Sequence, residues 1–511
     1  VVRQCKSALG PLTAFKRMVN SNGKPEFEDV PLTGEAFPHD HAKLPAEIPQ
    51  TGDRGIRLAD VVNGKNTLEE FTAQLTDYDL SCIIRGEGMG SPKVTAGTAA
   101  AFGGVSDTLT ALGIPCACCD DGPSGMRLDC GTKAFSLPNG TLLASTFDRP
   151  LMTELFTFMG LEMHTNQVDC LLGPGMNIHR HPLNGRNFEY FSEDPYLTGE
   201  MASAELAGLH STGAEGTIKH FCGNNRETRR HFLDSVISER ALREIYLRGF
   251  EKAVKKGGAK SVMTTYGQVN GVWTAGNYDL VTGILRDDWG FDGFTMTDWW
   301  ANINRRGKAP DKSDFAAMAM AQNDVYMVTA DGAACNDNTL DSLKSGELTR
   351  GELQRNAMNI LRFLTTTHAM KRVMGCDDET EIINRPADAG DVDSTDIEFH
   401  DIDEDLTLDL TGITTEKGSS YAFGLNVSKP GVYKVTLTAS STLSELAQTS
   451  VSIFALGSPC GMFTFNGTGG APVSQTKDVK CLSNFMPIRL YFGGSGLKTQ
   501  SIRFELKERW T

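Results

Sequence analysis

Long apolar runs are missing from this 511-residue sequence, since no segment reaches the about 18 apolar residues that a membrane-spanning helix requires. Basic residues are also in deficit, with 49 lysines and arginines against 64 acidic residues and a formal net charge of -15. Nucleic-acid binding needs a basic face, so this charge excludes a nucleic-acid partner and argues against an anionic membrane surface. The hydrophobic content of 40% is that of an ordinary soluble globular protein.

The twelve cysteines lack the spacing of a disulfide framework or of a zinc ribbon. Cys116, Cys118 and Cys119 fall in an apolar run typical of a buried strand, where cysteine acts as a small hydrophobe. This pattern predicts reduced thiols and a cytoplasmic location. The chain begins Val-Val-Arg, with neither an initiator methionine nor a signal peptide, which predicts a truncated or processed polypeptide.

The length predicts two or three domains. Residues 1–55 show little periodicity and are interpreted as the remnant of an upstream module followed by a linker. Residues 56–380 alternate short apolar runs with amphipathic helices such as 238–253, which predicts an α/β fold, a (β/α)8 TIM-like barrel with parallel strands. The predicted barrel strands are 116–120, 168–172, 216–221, 261–266, 294–298 and 324–328.

The composition changes after the barrel. Residues 381–395 form a polar linker, and residues 396–511 contain runs that alternate apolar and polar residues at period two, separated by Gly and Asn turns. This pattern predicts an all-β sandwich, a module like those that bind carbohydrate. Its candidate rings for stacking on a sugar are Phe463, Phe465, Tyr491 and Phe492.

In a barrel, working residues lie at the carboxyl ends of the strands, and polar groups follow the predicted strands here. The run Gly-Phe-Thr-Met-Thr-Asp-Trp-Trp (293–300) predicts a buried strand that presents Asp298 between aromatic rings. Of the adjacent Asp120 and Asp121, strand alternation sends one towards the pocket. Lys219 and His220 end another strand. Carboxylates, cations, amides and aromatic rings together are the mixture that recognises a sugar.

Four segments carry a resemblance to family 3 of the glycoside hydrolases. They are Gly-Arg-Asn-Phe-Glu-Tyr-Phe-Ser-Glu-Asp-Pro (185–195), Lys-His-Phe-Cys-Gly-Asn-Asn (219–225), Ser-Glu-Arg-Ala-Leu-Arg-Glu-Ile-Tyr-Leu (238–247) and Trp-Gly-Phe-Asp-Gly-Phe-Thr-Met-Thr-Asp-Trp-Trp (289–300). The resemblance implies a retaining exo-acting β-glycosidase, most often a β-glucosidase, that removes nonreducing-end glucose from aryl glucosides or β-linked gluco-oligosaccharides such as cello-oligosaccharides. It implies Asp298 as the nucleophile that forms a covalent glycosyl-aspartate, and as substrate-binding residues Asp121, Arg186, Lys219, His220, Tyr266 and Trp299.

The sequence departs from the usual layout of that family, in which an α/β-sandwich after the barrel supplies the general acid/base. Here a predicted β-sandwich follows instead. The arrangement resembles a circularly permuted subgroup, in which the α/β-sandwich and a fibronectin-like domain precede the barrel, and residues 1–55 resemble the end of that fibronectin-like domain. The acid/base is therefore unknown and expected outside this chain, so that a second polypeptide carries it or the chain is catalytically incomplete.

Several alternatives stay open from the sequence. Glu87 is a substitute acid or a structural residue in a Gly-rich loop, and Glu189 is expected to pair with Arg186. His-Arg-His (179–181), with His164 and His231, has the spacing of a weak metal motif, but no metal and no cofactor are predicted. A β-xylosidase, a noncatalytic sugar-binding subunit and a metal-dependent barrel hydrolase are the competing functions.

Overall fold

The structure, a computed structural model, describes residues 15–21, 24–30, 44–89, 91–95, 97–128, 134–304, 309–380, 397–455, 458–481 and 484–509. The chain divides into two compact units, one containing the described residues up to 380 and the other those from 397. None of the helices in these ranges is long and apolar enough to cross a bilayer.

The first unit contains a barrel-like sheet and two small accessory sheets. Its strands, in chain order, are β1 (Phe15–Ser21), β2 (Lys24–Val30), β3 (Arg85–Gly88), β4 (Ala100–Gly103), β5 (Cys116–Asp121), β6 (Cys170–Leu172), β7 (Glu215–Phe221), β8 (Asp234–Ser235), β9 (Ser261–Thr264), β10 (Gln268–Val269), β11 (Val272–Trp273), β12 (Phe294–Met296) and β13 (Tyr326–Thr329).

Eight strands form the barrel-like sheet in the order β12-β9-β7-β6-β5-β4-β3-β13, and a parallel bridge from Met296 to Val325 joins its two ends. This is the predicted TIM-like architecture, and strands lie in all six predicted places. The expectation of parallel strands throughout was wrong in one place, because β4 runs antiparallel to both β3 and β5. A short hairpin therefore replaces one crossover helix.

The remaining connections are mostly helical. The α-helices are α1 (Leu58–Val62), α2 (Leu68–Ala73), α3 (Asp77–Ile83), α4 (Asp107–Ala111), α5 (Gly140–Ser145), α6 (Arg149–Thr165), α7 (Pro195–His210), α8 (Glu239–Ala241), α9 (Arg248–Lys255), α10 (Phe315–Met320), α11 (Thr339–Ser345), α12 (Arg350–Leu364) and α13 (His368–Val373). Several begin at a threonine whose hydroxyl accepts from the third helical N–H, as Thr349 does from Glu352. Such capping satisfies donors that the helix leaves unpaired.

The helix predicted at 238–253 is interrupted by a π-helical segment, Leu242–Tyr246, between α8 and α9. Leu242, Leu247 and Phe250 are buried, whereas Ile245, which a helical period would place on the same face as Leu242, is 41% exposed. The wider π turn rotates the residues after it, so a strict 3.6-residue period misplaces Ile245.

One segment of the first unit is more regular than its sequence pattern indicated, and the placement of Glu87 in a loop was wrong. The supposedly irregular segment before residue 56 contains an antiparallel hairpin, β1 paired with β2. Residues 1–14, 22–23 and 31–43 lie outside the described ranges. Glu87, placed in a loop from the sequence, lies in barrel strand β3 and is buried.

The second unit has two sheets with one apolar core between them. Its strands are β14 (Phe399–Ile402), β15 (Asp405–Asp409), β16 (Ser420–Val427), β17 (Gly431–Ser441), β18 (Gln448–Ala455), β19 (Ser458–Asn466), β20 (Val473–Cys481), β21 (Phe485–Phe492) and β22 (Leu497–Arg509). Of the proposed stacking rings, Phe463, Phe465 and Phe492 are core residues and at most 2% exposed. They cannot stack on a ligand, whereas Tyr491 is partly exposed.

Candidate active site

A cavity of about 1040 Å³ opens where the barrel strands end. Its wall mixes charged groups with aromatic rings, and all seven residues implied by the family resemblance line it: Asp121, Arg186, Lys219, His220, Tyr266, Asp298 and Trp299. A concave site with convergent polar groups of both charges has the features of a small-molecule binding site.

Asp298 follows β12 and is 6% exposed. Its Oδ1 accepts a hydrogen bond of 2.8 Å from the backbone N–H of Trp299, whereas Oδ2 has no hydrogen-bond partner among the described residues. Burial raises the pKa of this carboxyl to about 6, although Arg186, the Trp299 N–H, Lys219 and Tyr266 all favour the ionised form. One carboxylate oxygen is thus fixed by the backbone, and the other is buried without a hydrogen-bond partner among the described residues.

His220 presents a neutral imidazole to Asp298. Burial, with the charges of Arg186 and Lys219, lowers the pKa of His220 well below its ordinary value. Because Asn224 donates to the hydroxyl oxygen of Tyr190 (2.9 Å), that hydroxyl is left to donate to His220 Nδ1, 3.1 Å away. The proton of the neutral ring is then on Nε2, which lies 3.7 Å from Asp298 Oδ2.

Tyr190 and Asn177 were not assigned roles from the sequence. Tyr190 is fully buried behind His220, and Asn177 holds the His220 backbone through two bonds of 2.8 Å, one to its N–H and one to its carbonyl. The only sequence signal was that Tyr190 lies inside the 185–195 motif and that Asn177 follows β6. Both act by positioning the imidazole.

Lys219 and Asp121 form an ion pair in the cavity, with Lys219 Nζ 2.9 Å from Asp121 Oδ1. Lys219 is 3% exposed, and Arg127 also approaches Asp121, at 3.5 Å. Burial opposes ionisation, but the charges of Lys219 and Arg127 outweigh it and lower the pKa of Asp121 to about 2. Asp121 therefore stays ionised above about pH 2, while Asp120 is buried outside the cavity lining.

The two glutamates considered from the sequence, Glu189 and Glu87, are both bound to neighbouring residues. Glu189 pairs with the guanidinium of Arg186, as expected from the sequence. Glu87 accepts hydrogen bonds from the Gly332 N–H at 2.9 Å and from Lys93 at 3.2 Å, and it does not line the cavity. These contacts argue against Glu87 as a substitute acid.

Aromatic rings cover part of the cavity wall. Tyr266 lies under the guanidinium of Arg230, 4.6 Å from its ring centroid, and also contacts the ring of His231 at 4.2 Å. Trp299 lines the cavity, and Trp300 beside it is 56% exposed. Arg230 was not singled out from the sequence, because it lies in a segment without a strand or motif to mark it.

The histidines of the weak metal motif do not converge in the structure. His179 contacts the Tyr190 carbonyl at 3.0 Å, and His181 accepts from the Leu183 N–H at 3.1 Å. Among the described residues, a compact group of possible ligands is formed instead by His164, His368 and Asp377. His368 is already engaged at both ring nitrogens, by Asp377 at 2.6 Å and the Thr212 carbonyl at 2.8 Å.

Comparison with known proteins agrees with this geometry. The model of the glycosyl hydrolase family 3 N terminal domain matches residues 53–363. A beta-glucosidase of Ruminococcus albus is 60% identical over 525 aligned positions, covering 100% of this chain and 55% of that protein. The chain spans about half the length of the curated relatives it matches first.

Solved structures give the same result. A beta-glucosidase from Paenibacillus barengoltzii superposes with a TM-score of 0.69 at 43% identity, covering 99% of this chain and 55% of that one. Beta-glucosidase 3B from Thermotoga neapolitana, solved in complex with alpha-D-glucose, has a TM-score of 0.55 at 36% identity and covers 62% and 44% of the two chains. The chain belongs to glycosyl hydrolase family 3.

Proposed function

We propose that this chain carries the nucleophile and the sugar pocket of a retaining, exo-acting β-glucosidase. The observation that carries the proposal is the Asp298 carboxylate, with one oxygen fixed by the Trp299 N–H and the other unpartnered in a charged cavity. Such an oxygen can attack the anomeric carbon of a nonreducing-end glucose and form a covalent glycosyl-aspartate. The names of the relatives favour glucose over xylose.

The other cavity residues are proposed to hold the sugar. Asp121 accepts from ring hydroxyls, and Lys219, Arg186 and His220 donate to hydroxyl oxygens. The indole of Trp299 offers an apolar face for the pyranose ring, and Tyr266, whose ring is covered by Arg230, is proposed to contact the sugar with its hydroxyl. These roles suit a β-linked gluco-oligosaccharide or an aryl glucoside as substrate.

The general acid/base is proposed to lie outside the described residues of this chain. Retention needs a second carboxyl about 5–5.5 Å from the nucleophile. Apart from Asp298, the carboxylates on the cavity wall are Asp121 and Glu189, and both are held in ion pairs. Segments of the relatives that this chain does not span, or a second polypeptide bearing an α/β-sandwich, are the proposed source.

The nucleophile is tested by labelling this polypeptide with a 2-fluoroglucoside that has a dinitrophenol leaving group. We expect one fluoroglucosyl group on the peptide that contains Asp298, and no label after Asp298→Asn. Label on another carboxylate would refute the assignment.

The missing acid is tested by comparing two substrates. Activated glucosides need no acid, so this chain should hydrolyse them faster than cellobiose by a factor of about 10² to 10⁴, the usual contribution of acid catalysis. Comparable turnover of both would refute the missing acid.

A noncatalytic sugar-binding subunit is the second candidate, favoured by the lack of an unpaired second carboxyl among the described cavity residues. Stoichiometric labelling of Asp298 without turnover of any glucoside, including activated ones, would select it. Turnover of the dinitrophenyl glucoside would exclude it.

The domain boundaries drawn from the sequence remain proposals. They are an upstream fibronectin-like remnant and linker at 1–55, the catalytic barrel at 56–380, a linker at 381–395 and a β-sandwich at 396–511. The two-sheet second unit is proposed to be carbohydrate-binding-like in fold, with Tyr491 as its remaining candidate ring. A cytoplasmic location stays a prediction from the cysteines.

A further inference from the structure

Two cysteines that are distant in sequence meet in the first unit. Cys82 lies in α3 and is fully buried, whereas Cys335 lies between β13 and α11 and is half-buried. Their Sγ atoms are 3.9 Å apart. The residues just before this segment, Val328 to Ala330, line the catalytic cavity.

A buried cation is aimed at one of the two sulfurs. Arg85 Nη1 lies 3.3 Å from Cys335 Sγ, and the Ser81 hydroxyl lies 3.6 Å from the same sulfur. The guanidinium cannot turn away, because its Nε donates to Asp337 at 2.8 Å and the pair is almost fully buried. A cation held against a thiol stabilises the thiolate.

The pKa values of the two thiols are also shifted in opposite directions. The hydrogen bond from Cys82, with the charge of Arg85, lowers the pKa of the Cys335 thiol below its ordinary value, and the same contact raises the pKa of Cys82. Burial instead raises the pKa of Cys119, Cys170 and Cys222. A half-buried thiol held against a cation, with a second thiol beside it, is the arrangement of a redox-reactive pair.

We propose that Cys335 and Cys82 form a peroxide-reactive dithiol, in which the Cys335 thiolate attacks the oxidant and Cys82 resolves the product. The thiolate takes one oxygen from hydrogen peroxide, giving a sulfenic acid at Cys335 and releasing hydroxide. The Cys82 sulfur then attacks the Cys335 sulfur and forms the S–S bond. The sulfenic oxygen leaves as water, taking the proton of the Cys82 thiol. One thiolate, one thiol and one peroxide thus become one disulfide, one water and one hydroxide.

The surroundings permit the second step. The sulfurs must close from 3.9 Å to about 2.05 Å, a movement of roughly 2 Å. Cys335 belongs to a loop, whose attachments to the rest of the unit include the Tyr78 hydroxyl bond to the Ala333 carbonyl at 3.0 Å. Because Cys82 is fully buried, it can resolve Cys335 only within the same molecule.

The test treats the reduced, full chain with a small excess of hydrogen peroxide, followed by alkylation and peptide mapping. We expect a Cys82–Cys335 disulfide that dithiothreitol reverses. Cys82→Ser should stop at the sulfenic acid, which dimedone traps on Cys335, and Cys335→Ser should leave Cys82 reduced. Cys376→Ser, which removes an exposed thiol, is the matched control and should form the disulfide normally.

A second measurement needs no variant. In the unmodified chain, iodoacetamide should alkylate Cys335 at pH 6 about tenfold faster than Cys376, because thiolate is the reactive form. Equal rates at the two positions, or peroxide treatment that oxidises other cysteines while Cys82 and Cys335 stay reduced, would overturn the proposal.

Discussion

The cations nearest to Asp298 are bound to other carboxylates. Lys219 pairs with Asp121 and Arg186 with Glu189, so both act on Asp298 through space rather than by a direct salt bridge. A carboxylate locked in a salt bridge is a poor nucleophile, because the attack must break the bridge. Here nearby cations partly offset the cost of the buried charge, and neither of them forms a salt bridge with Asp298.

Replacement of Asp298 by asparagine should abolish labelling and stabilise the fold. Loss of a nucleophile typically costs a factor of about 10⁴ to 10⁶. The pKa of Asp298 is raised from 3.8 to about 6. Ionisation of this buried carboxyl therefore lowers the free energy of unfolding, and the loss sets in as the pH rises through about 6. We expect the free energy of unfolding at pH 8 to increase by about 1 to 3 kcal/mol, with the gain vanishing near pH 4. Urea unfolding at both pH values checks this, and a gain equal at both would contradict it.

The rate of attack should follow the ionisation of Asp298. The pKa of about 6 predicts that labelling by a dinitrophenyl 2-fluoroglucoside falls as the pH drops through 6 and levels off above it. That leaving group needs no proton, so the profile reports the nucleophile alone. A midpoint near pH 4, the ordinary pKa of an aspartate, would show that burial does not raise the pKa of Asp298.

The Tyr190 hydroxyl should matter through His220. Tyr190→Phe removes the donor to Nδ1 and frees the neutral ring to change tautomer. We expect labelling of Asp298 to slow about tenfold, since one buried hydrogen bond is worth about 1–3 kcal/mol when a partner is left unsatisfied. Tyr433→Phe, which removes a buried hydroxyl in the second unit, is the control and should leave the rate unchanged. Equal slowing in both would indicate a general loss of stability.

At the scale of elements, the six barrel strands with apolar runs were predictable and two were not. β3 (Arg-Gly-Glu-Gly) and β4 (Ala-Ala-Phe-Gly) are short, rich in glycine and alanine, and carry no alternation. Glycine there serves close packing, since a Cβ at Gly86 would lie 2.3 Å from Met327 Sδ. Tertiary contacts, which the local sequence does not show, determine that these residues form strands.

The segment before β12 offers a test of that packing. A Cβ at Gly293 would lie 2.1 Å from the Lys260 carbonyl, whereas Gly290, at φ +75, has open space around it. We expect Gly293→Ala to destabilise the protein by roughly 3 kcal/mol, since backbone must move. It should also slow labelling of Asp298. The control Gly290→Ala should cost about 1 kcal/mol for its left-handed backbone, without a rate effect. Thermal unfolding and the rate of Asp298 labelling are measured for both variants. Equal losses of stability in the two variants would contradict the predicted clash at Gly293.

At the scale of the molecule, the motifs predicted which residues share the cavity, because strand ends of a barrel meet at one face. They did not predict Tyr190 or Asn177, which act through contacts between β7 and the segments after β6. Nor did period-two alternation show that Phe463 and Phe492 point into the core of the second unit. Register, not composition, determines which face a ring occupies.

The two units should unfold as separate transitions. Among the described residues, the apolar cores of the two units share no member, and those that line the cavity belong to the first unit. A ligand stabilises only the state that binds it. We expect glucose to raise the midpoint of one calorimetric transition and leave the other unchanged. The second unit is followed by the fluorescence of an engineered Tyr491→Trp. A shift of that signal would place sugar binding in the second unit, and one cooperative transition would contradict separate folding.

The pair of Asp121 and Lys219 has a further effect on the working range of the site. The pKa of Asp121 is held at about 2, while that of Asp298 is about 6. In mildly acidic solution between these values, the acceptor for hydroxyl groups remains charged although the attacking group is protonated. On the proposed function, we therefore expect mild acidification to stop the reaction of Asp298 while Asp121 stays charged for sugar binding.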